Sequence, residues 1–300
     1  MPSKGTNNEV VVQRARAKSA DRALQVLEYL ATVPEGTNFS EIARALSLPK
    51  SSTHELLAVM TERSFLEFNT STKIYRIGIR TWELGQAFIA HRHLLTEARP
   101  VIASIAARLD ETVQISVLDG LEEVYLDRVD SSQPLRVQAI IGSRVPAHTI
   151  ALGKVLLSDR READILNDLR GVRLQAMTPN TVVTREALIE ELRWVKLMGF
   201  AIDDEEYAVG LRCVAVPIRD HHGSIVAAIS VALPITRGTA HQLTDAVLAI
   251  DKGAQGISRH LGCDTALLGL KAGLDRARLY EVVAERLEGA GKNLSLAVHG

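Results

Sequence analysis

The amino-acid sequence predicts two folded parts: a mainly helical N-terminal unit closed by a β-hairpin, and a larger α+β domain. Three observations support this. Apolar residues recur at helical spacing from Asp21 to Leu109, broken by Pro34-Glu35-Gly36 and by a short strand-like stretch at 66–77. From Glu111 the period falls to two, the mark of half-buried strands. Helical and strand-like runs then alternate to residue 261, without internal repeat or low-complexity tract.

Residues 1–18 are polar, basic and unpatterned, and read as a flexible arm. The first helix is expected from Asp21 to Val33, with Leu24, Leu27 and Leu30 at spacings of three and Val26 beside them. A short second helix follows, with Ser40 as its N-cap and Ile42, Ala43 and Leu46 facing inward. Ser47-Leu48 leads tightly into Pro49, a residue suited to the first turn of a third helix, whose buried stripe is Thr53, Leu56, Leu57 and Met60. Leu66-Glu67-Phe68-Asn69, a Thr-Ser-Thr-Lys turn and Ile74-Tyr75-Arg76-Ile77 make a hairpin. Three helices with a very short second turn, then a hairpin, form the winged helix-turn-helix arrangement. In it the third helix enters the major groove of double-stranded DNA, and the hairpin reaches a phosphate or the minor groove. Lys50, Ser51, His54 and Ala58 fall opposite the apolar stripe, and Lys73 and Arg76 sit on the wing. A small helical domain with a solvated polar face is the alternative.

Residues 81–109 form a helical connector with Trp82, Leu84, Phe88 and Ile89, then Leu94 to Leu109, which Pro100 is expected to break in two. Symmetric operators need two reading heads, so this amphipathic stretch is expected to dimerise; capping the next domain is the other use open to it. Strands are expected at Val113–Leu118, Glu123–Val129, Leu135–Ala139, Cys213–Ile218 and Ile225–Leu233. Helices are expected near Thr149–Leu157, Glu162–Leu169, Arg185–Met198 and Thr239–Leu261. Strands in meander order with helices between them suggest an antiparallel sheet covered by helices. One amphipathic helix, Asp275–Leu287, remains in the tail.

Composition narrows the function. Among 300 residues, 46% are hydrophobic and 24% charged, an ordinary globular balance. No apolar run spans a membrane and no signal peptide opens the chain, so a cytoplasmic protein is expected. Cys213 and Cys263 offer neither a disulfide framework nor a CxxC metal knuckle. The chain totals −1, but residues 1–80 carry eleven basic against eight acidic side chains, a formal +3 that leaves −4 for the rest. That asymmetry permits DNA binding at the N-terminal end.

Four stretches resemble the IclR family of bacterial transcriptional regulators: Ala20–Leu27, Leu46–Leu57, Gly142–Leu157 (GSRVPAHTIALGKVLL) and Gly199–Cys213 (GFAIDDEEYAVGLRC), in order across about residues 20–262. The resemblance implies a GAF-like sensor domain, homodimers or homotetramers, and control of catabolic operons by small organic acids. It divides the chain into the arm at 1–18, the winged helix-turn-helix at 19–80, the connector at 81–109, the effector domain at 110–262 and a helical tail at 263–300. On the recognition helix it singles out Lys50, Ser51, Ser52, His54 and Glu55. Glu55 stands where a basic residue is common and can accept from a cytosine amine. The positions matching the effector pocket are Ala151, Leu152, Asp203, Cys213 and Ser230.

Chemistry supports that transfer. The first turn of the Thr149 helix offers unpaired N–H groups and a positive dipole end for a carboxylate. Ser230 donates; Asp203 accepts from a ligand hydroxyl or is protonated. Val145, Leu152, Leu211 and Ile229 supply apolar walls. Ala232, where a second serine is frequent, removes one donor and points to a ligand with a less polar end. Neither cofactor nor metal is expected: the acidic run Asp203–Glu206 and the His221-His222 turn read as solvated, and Cys213 as a small buried residue. The alternative is a GAF-like enzyme with Cys213 as nucleophile, helped by His148 or Asp203.

Overall fold

The computed structural model describes residues 18–90, 94–136, 139–271 and 274–289, and the side chains of 86–90 are not among them. The arm up to residue 17, and the side chains of Phe88 and Ile89, lie outside this set. The chain divides into two compact units after residue 92.

The first unit contains α1 (Lys18–Ala31), β1 (Thr37–Asn38), α2 (Phe39–Ala45), α3 (Lys50–Glu62), β2 (Leu66–Asn69), β3 (Ile74–Ile77) and α4 (Ile79–Ala90). Its core is Val26, Leu30, Ile42, Leu57, Met60 and Leu66. Leu24 is 59% exposed, unlike the expectation, because the inward stripe of α1 runs through Ala23, Val26, Leu27 and Leu30. Ser40 is not the cap of α2. Asn38 is, and its side chain accepts from the Glu41 N–H at 3.1 Å. Ser47, in the left-handed region at φ 51°, turns the chain sharply between α2 and α3. Gly36 (φ 76°) lies against β3, where a Cβ would come within 2.4 Å of the Tyr75 carbonyl oxygen. That contact lets β1 join the sheet in the order β1-β3-β2.

The second unit opens with α5 (Leu94–Leu109), which continues through Pro100. The proline ring is exposed, while Ala98, Ile102, Ile105 and Ala106 on the opposite face are buried, and that packing outweighs one lost hydrogen bond. The sheet is built from β4 (Thr112–Asp119), β5 (Glu122–Val129), β6 (Arg144–Pro146), β7 (Ala201–Asp204), β8 (Leu211–Arg219) and β9 (Ile225–Pro234). Its order is β6-β5-β4-β9-β8-β7, with every pairing antiparallel. No strand forms within the described part of 135–139. Gly142 and Ser143 bond the Tyr125 backbone and β6 pairs with β5, so the residues before them loop out.

Helices α6 (Ala151–Ser158), α7 (Glu162–Asp168), α8 (Arg185–Met198), α9 (Ala240–His260) and α10 (Arg276–Gly289) cover the sheet. One face packs Val113, Ile115, Val214, Val216, Ile229 and Val231 against α5, α9 and α10. The other carries Tyr125, Cys213, Ala215, Ala228 and Ala232 toward α6 and α8. Alternation along β8 and β9 thus sends branched side chains one way and small ones the other. Helix α6 is buried along its whole length, and Gly153 allows it to lie on a 3-10 turn at Ala147–Thr149, where a Cβ would meet the Ala147 carbonyl oxygen at 2.1 Å.

Candidate functional site

Two surfaces carry chemistry, one on each unit. On the first, α3 exposes Lys50, Ser51, His54 and Glu55, while Thr53, Leu57 and Met60 point inward. Ser52 is half-buried. Its hydroxyl accepts from Arg22 at 3.3 Å and donates to the Pro49 carbonyl at 3.3 Å, so it ties α1 to α3. At the wing, the Asn69 side chain accepts from the Ser71 and Thr72 amides, and Lys73 takes a left-handed conformation (φ 58°). The Lys73 ammonium lies 5.9 Å from the Phe68 ring centroid. Arg76 is exposed, but its Nε donates to the Glu35 carbonyl at 2.9 Å, so it braces the turn after α1.

On the second unit a cavity of about 270 Å³ opens on the small-residue face of the sheet. Ala151 and Leu152 from α6, Asp203 from β7, Cys213 from β8 and Ser230 from β9 all line it. Val145 and Leu211 provide apolar wall as expected. Ile229 does not, because the strand alternation turns it to the opposite face. Ile150 caps α6 without a side-chain hydrogen bond, which leaves the first-turn amides open to a ligand.

Among the described residues, three buried polar atoms on the lining lack a hydrogen-bond partner: Gln114 Nε2, Asp203 Oδ2 and Ser230 Oγ. Gln114 and Ser230 are cross-strand partners on β4 and β9, so two donors sit side by side. Asp203 is anchored through Oδ1, which accepts from the Glu206 N–H at 2.7 Å. Burial, reinforced by Glu206, pushes its carboxyl above the ordinary range, although Lys154 opposes this. Glu123 stands behind the lining and accepts from the Ser116 hydroxyl at 3.0 Å; burial pushes its carboxyl up to about 8. Gln114, Tyr125 and Tyr207 were not foreseen as lining residues. On strands β4 and β5 a glutamine or tyrosine reads as the ordinary polar phase of an alternating pattern, and Tyr207 lies in the loop between β7 and β8, where no period marks it.

The acidic run Asp203–Glu206 is not solvated. Asp204 pairs with Arg212 at 2.6 Å, Glu205 accepts from the Gly210 N–H at 2.6 Å, and Glu206 binds the fully buried Lys154 at 2.6 Å. Lys154 also contacts Glu191 at 3.1 Å and the Ile202 carbonyl at 2.6 Å. Burial pushes its ammonium down, but Glu191 and Glu206 outweigh that and hold it protonated. His221 and His222 sit in the exposed β8–β9 turn with ring centroids 3.8 Å apart.

This environment deactivates Cys213 as a nucleophile. Burial, then Asp203 and Glu123, push its thiol well above the usual value, and a nucleophile needs the opposite. His148 is engaged elsewhere, with Nε2 3.1 Å from the Gln175 carbonyl oxygen.

A helix-turn-helix head joined to an α+β domain with a cavity lined by polar groups is the arrangement of a transcription regulator. Residues 19–70 match the IclR helix-turn-helix domain, and residues 86–259 match the C-terminal domain of bacterial IclR transcriptional regulators. The chain belongs to the IclR family. It is 32% identical to the HTH-type transcriptional repressor AllR of Escherichia coli over 254 residues, 85% of this chain and 93% of that one. It superposes on the Thermotoga maritima IclR at a TM-score of 0.69, with 29% identity over 82% of this chain and all of the other. An IclR homologue from Microbacterium hydrocarbonoxydans, solved with 4-hydroxybenzoate, gives 0.73 at 26% identity, covering 81% of this chain and 98% of that one. The family is one of regulators, not enzymes. Among the described residues no helix is long and apolar enough to cross a membrane.

Proposed function

We propose that this regulator senses a small organic acid in the cavity of its second unit and changes its affinity for operator DNA in response. The observation that carries the reading is the convergence of unpartnered Gln114 Nε2, Asp203 Oδ2 and Ser230 Oγ with the open first turn of α6. Unpartnered buried polar atoms are costly, and a ligand that satisfies them recovers that cost on binding. At about 270 Å³ the cavity suits a compact acid rather than a large cofactor. The 4-hydroxybenzoate bound by the Microbacterium homologue is of this size and class. Ala151 and Leu152 amides hold the carboxylate, Ser230 and Gln114 donate to further oxygens, and Asp203 faces a ligand hydroxyl.

In the same reading the first unit reads DNA and the second senses the effector, the connector expected at 81–109 being shared between them as α4 and α5, and the protein works in the cytoplasm. Lys50, Ser51, His54 and Glu55 face the major groove, with Lys73 at the wing. Ser52 and Arg76 support this surface from within. Ile79, Trp82 and Leu84 on α4 are exposed, and a second copy of the chain covers them to give an even-numbered oligomer on a symmetric operator. Lys50→Ala and His54→Ala each weaken operator binding by about 1–3 kcal/mol, measured by gel shift on the DNA upstream of the protein's own gene. Unchanged affinity in both would remove α3 from the groove.

A further inference from the structure

The tail helix α10 lies beyond residues 86–259, the part that matches the family's C-terminal domain. It is firmly docked on its own unit. Leu279, Val282 and Val283 are buried, Tyr280 stacks on His241 of α9 with ring centroids 4.3 Å apart, and Arg276 pairs with Asp245 at 2.7 Å. Arg286 follows Leu279 by seven residues, so it falls on the same inward stripe rather than on the solvated face. Its guanidinium packs 4.3 Å from the Trp194 ring centroid and forms an ion pair with Glu191, both on α8.

Glu191 is the same carboxylate that holds Lys154, and Lys154 in turn holds Glu206. The Glu206 N–H donates to Asp203, whose other oxygen is one of the unpartnered atoms of the cavity. A continuous chain of contacts therefore runs from the tail to the cavity lining. Two cations, Lys154 and Arg286, balance the two carboxylates Glu191 and Glu206. Without Arg286, Lys154 alone would face Glu191 and Glu206, and one surplus negative charge would lie under a site meant for an anion.

We propose that Arg286 is a positioning residue of the effector cavity: it neutralises Glu191 from the tail, so that Lys154 is left to offset Glu206 and the cavity admits an anion. This rests on the reading that the cavity takes an acid. Helix α10 is thus a working part of the sensor, whose loss changes the electrostatics of the site and not only the stability of the fold.

Cys213 lines the cavity and reports its potential directly. In the full-length chain with Cys263→Ser, the rates of Cys213 alkylation by iodoacetate and by iodoacetamide are compared. Both reagents attack the same thiolate, so their ratio cancels the thiolate fraction and leaves the effect of reagent charge. Arg286→Gln is expected to lower the iodoacetate-to-iodoacetamide ratio about threefold, while Arg286→Lys keeps it. Glu191→Gln raises the ratio, and the double variant Glu191→Gln/Arg286→Gln brings it back. If Arg286→Gln fails to fold, the comparison of Glu191→Gln with the double variant decides. An unchanged ratio in folded Arg286→Gln would overturn the proposal, as would a double variant equal to Glu191→Gln alone. Because burial, Asp203 and Glu123 hold the Cys213 thiol protonated, the rates are read over hours at raised pH, where thiolate forms. Failure of both reagents to label Cys213 there, with Cys213 labelled in the unfolded chain, would also overturn the proposal, since the cavity would then be closed to small molecules. The assay needs no effector, so a protein with the expected ratios that binds no acid would refute the effector reading alone.

Discussion

The two faces of the six-stranded sheet are made from alternate residues of the same strands, yet they do opposite things. Along β9, Ile229, Val231 and Leu233 pack into an apolar core with α5 and α9, while Ala228, Ser230 and Ala232 face the other way. The first face has branched side chains in dense contact and owes its stability to apolar burial. The second has small side chains, two unpartnered donors and a buried carboxylate, and encloses a cavity. The difference teaches that recognition here is bought with withheld packing. Each alanine or serine on the cavity face leaves room that a branched side chain occupies on the other face.

If this contrast holds, the buried charges beside α6 should be far less tolerant than the cavity lining. Lys154→Met leaves Glu191 and Glu206 without their shared cation and costs about 3–5 kcal/mol in a guanidinium unfolding curve. A loss below about 1 kcal/mol would show that the network adds little and that the cavity face is held by packing alone.

The second test uses pH. Glu123 has an ordinary pKa of 4.5 when unfolded and about 8 when folded, because burial disfavours its charge. The folded state therefore binds the extra proton across this window. Stability is fully present below pH 4.5 and is lost as pH rises through 8, on the order of 3–4 kcal/mol between pH 5 and 8 for this group alone. Glu123→Gln, which mimics the neutral form, makes that part of the profile less steep and leaves the share of Asp203, whose buried carboxyl is also pushed up to about 8. A profile as steep as wild type in the variant would assign the pH response to other groups.

Much of this was legible in the sequence, and the failures have physical causes. The winged head followed from helical spacing and turn residues, because local signals dominate a small helical unit. Asp203, Cys213 and Ser230 were singled out by resemblance, and the sheet brings them to one cavity although 27 positions separate the first from the last. Gln114 was missed because only the β4–β9 register places it beside Ser230. Arg286 was missed for a related reason: a charged residue near the end of an amphipathic helix reads as solvated until its partner, 95 positions away, is known. Pro100 misled because the breaking tendency of proline is local, whereas the packing of α5 is not. The strand expected at 135–139 failed because β5 takes its edge partner from β6 instead.

The central claim is that neighbouring residues of β9 divide stability from recognition, and one calorimetric series tests it most directly. Wild type, Ser230→Ala, Asp203→Asn and Ile229→Val are titrated with a panel of small keto, hydroxy and aromatic acids, 4-hydroxybenzoate included, and each is melted without ligand. Ser230→Ala and Asp203→Asn are expected to lose at least about tenfold in affinity for the acid that wild type binds, since each removes a ligand contact, while melting near wild type. Ile229→Val should lose about 0.5–1.5 kcal/mol of stability with affinity unchanged. Equal binding of that acid by wild type, Ser230→Ala and Asp203→Asn would contradict the account.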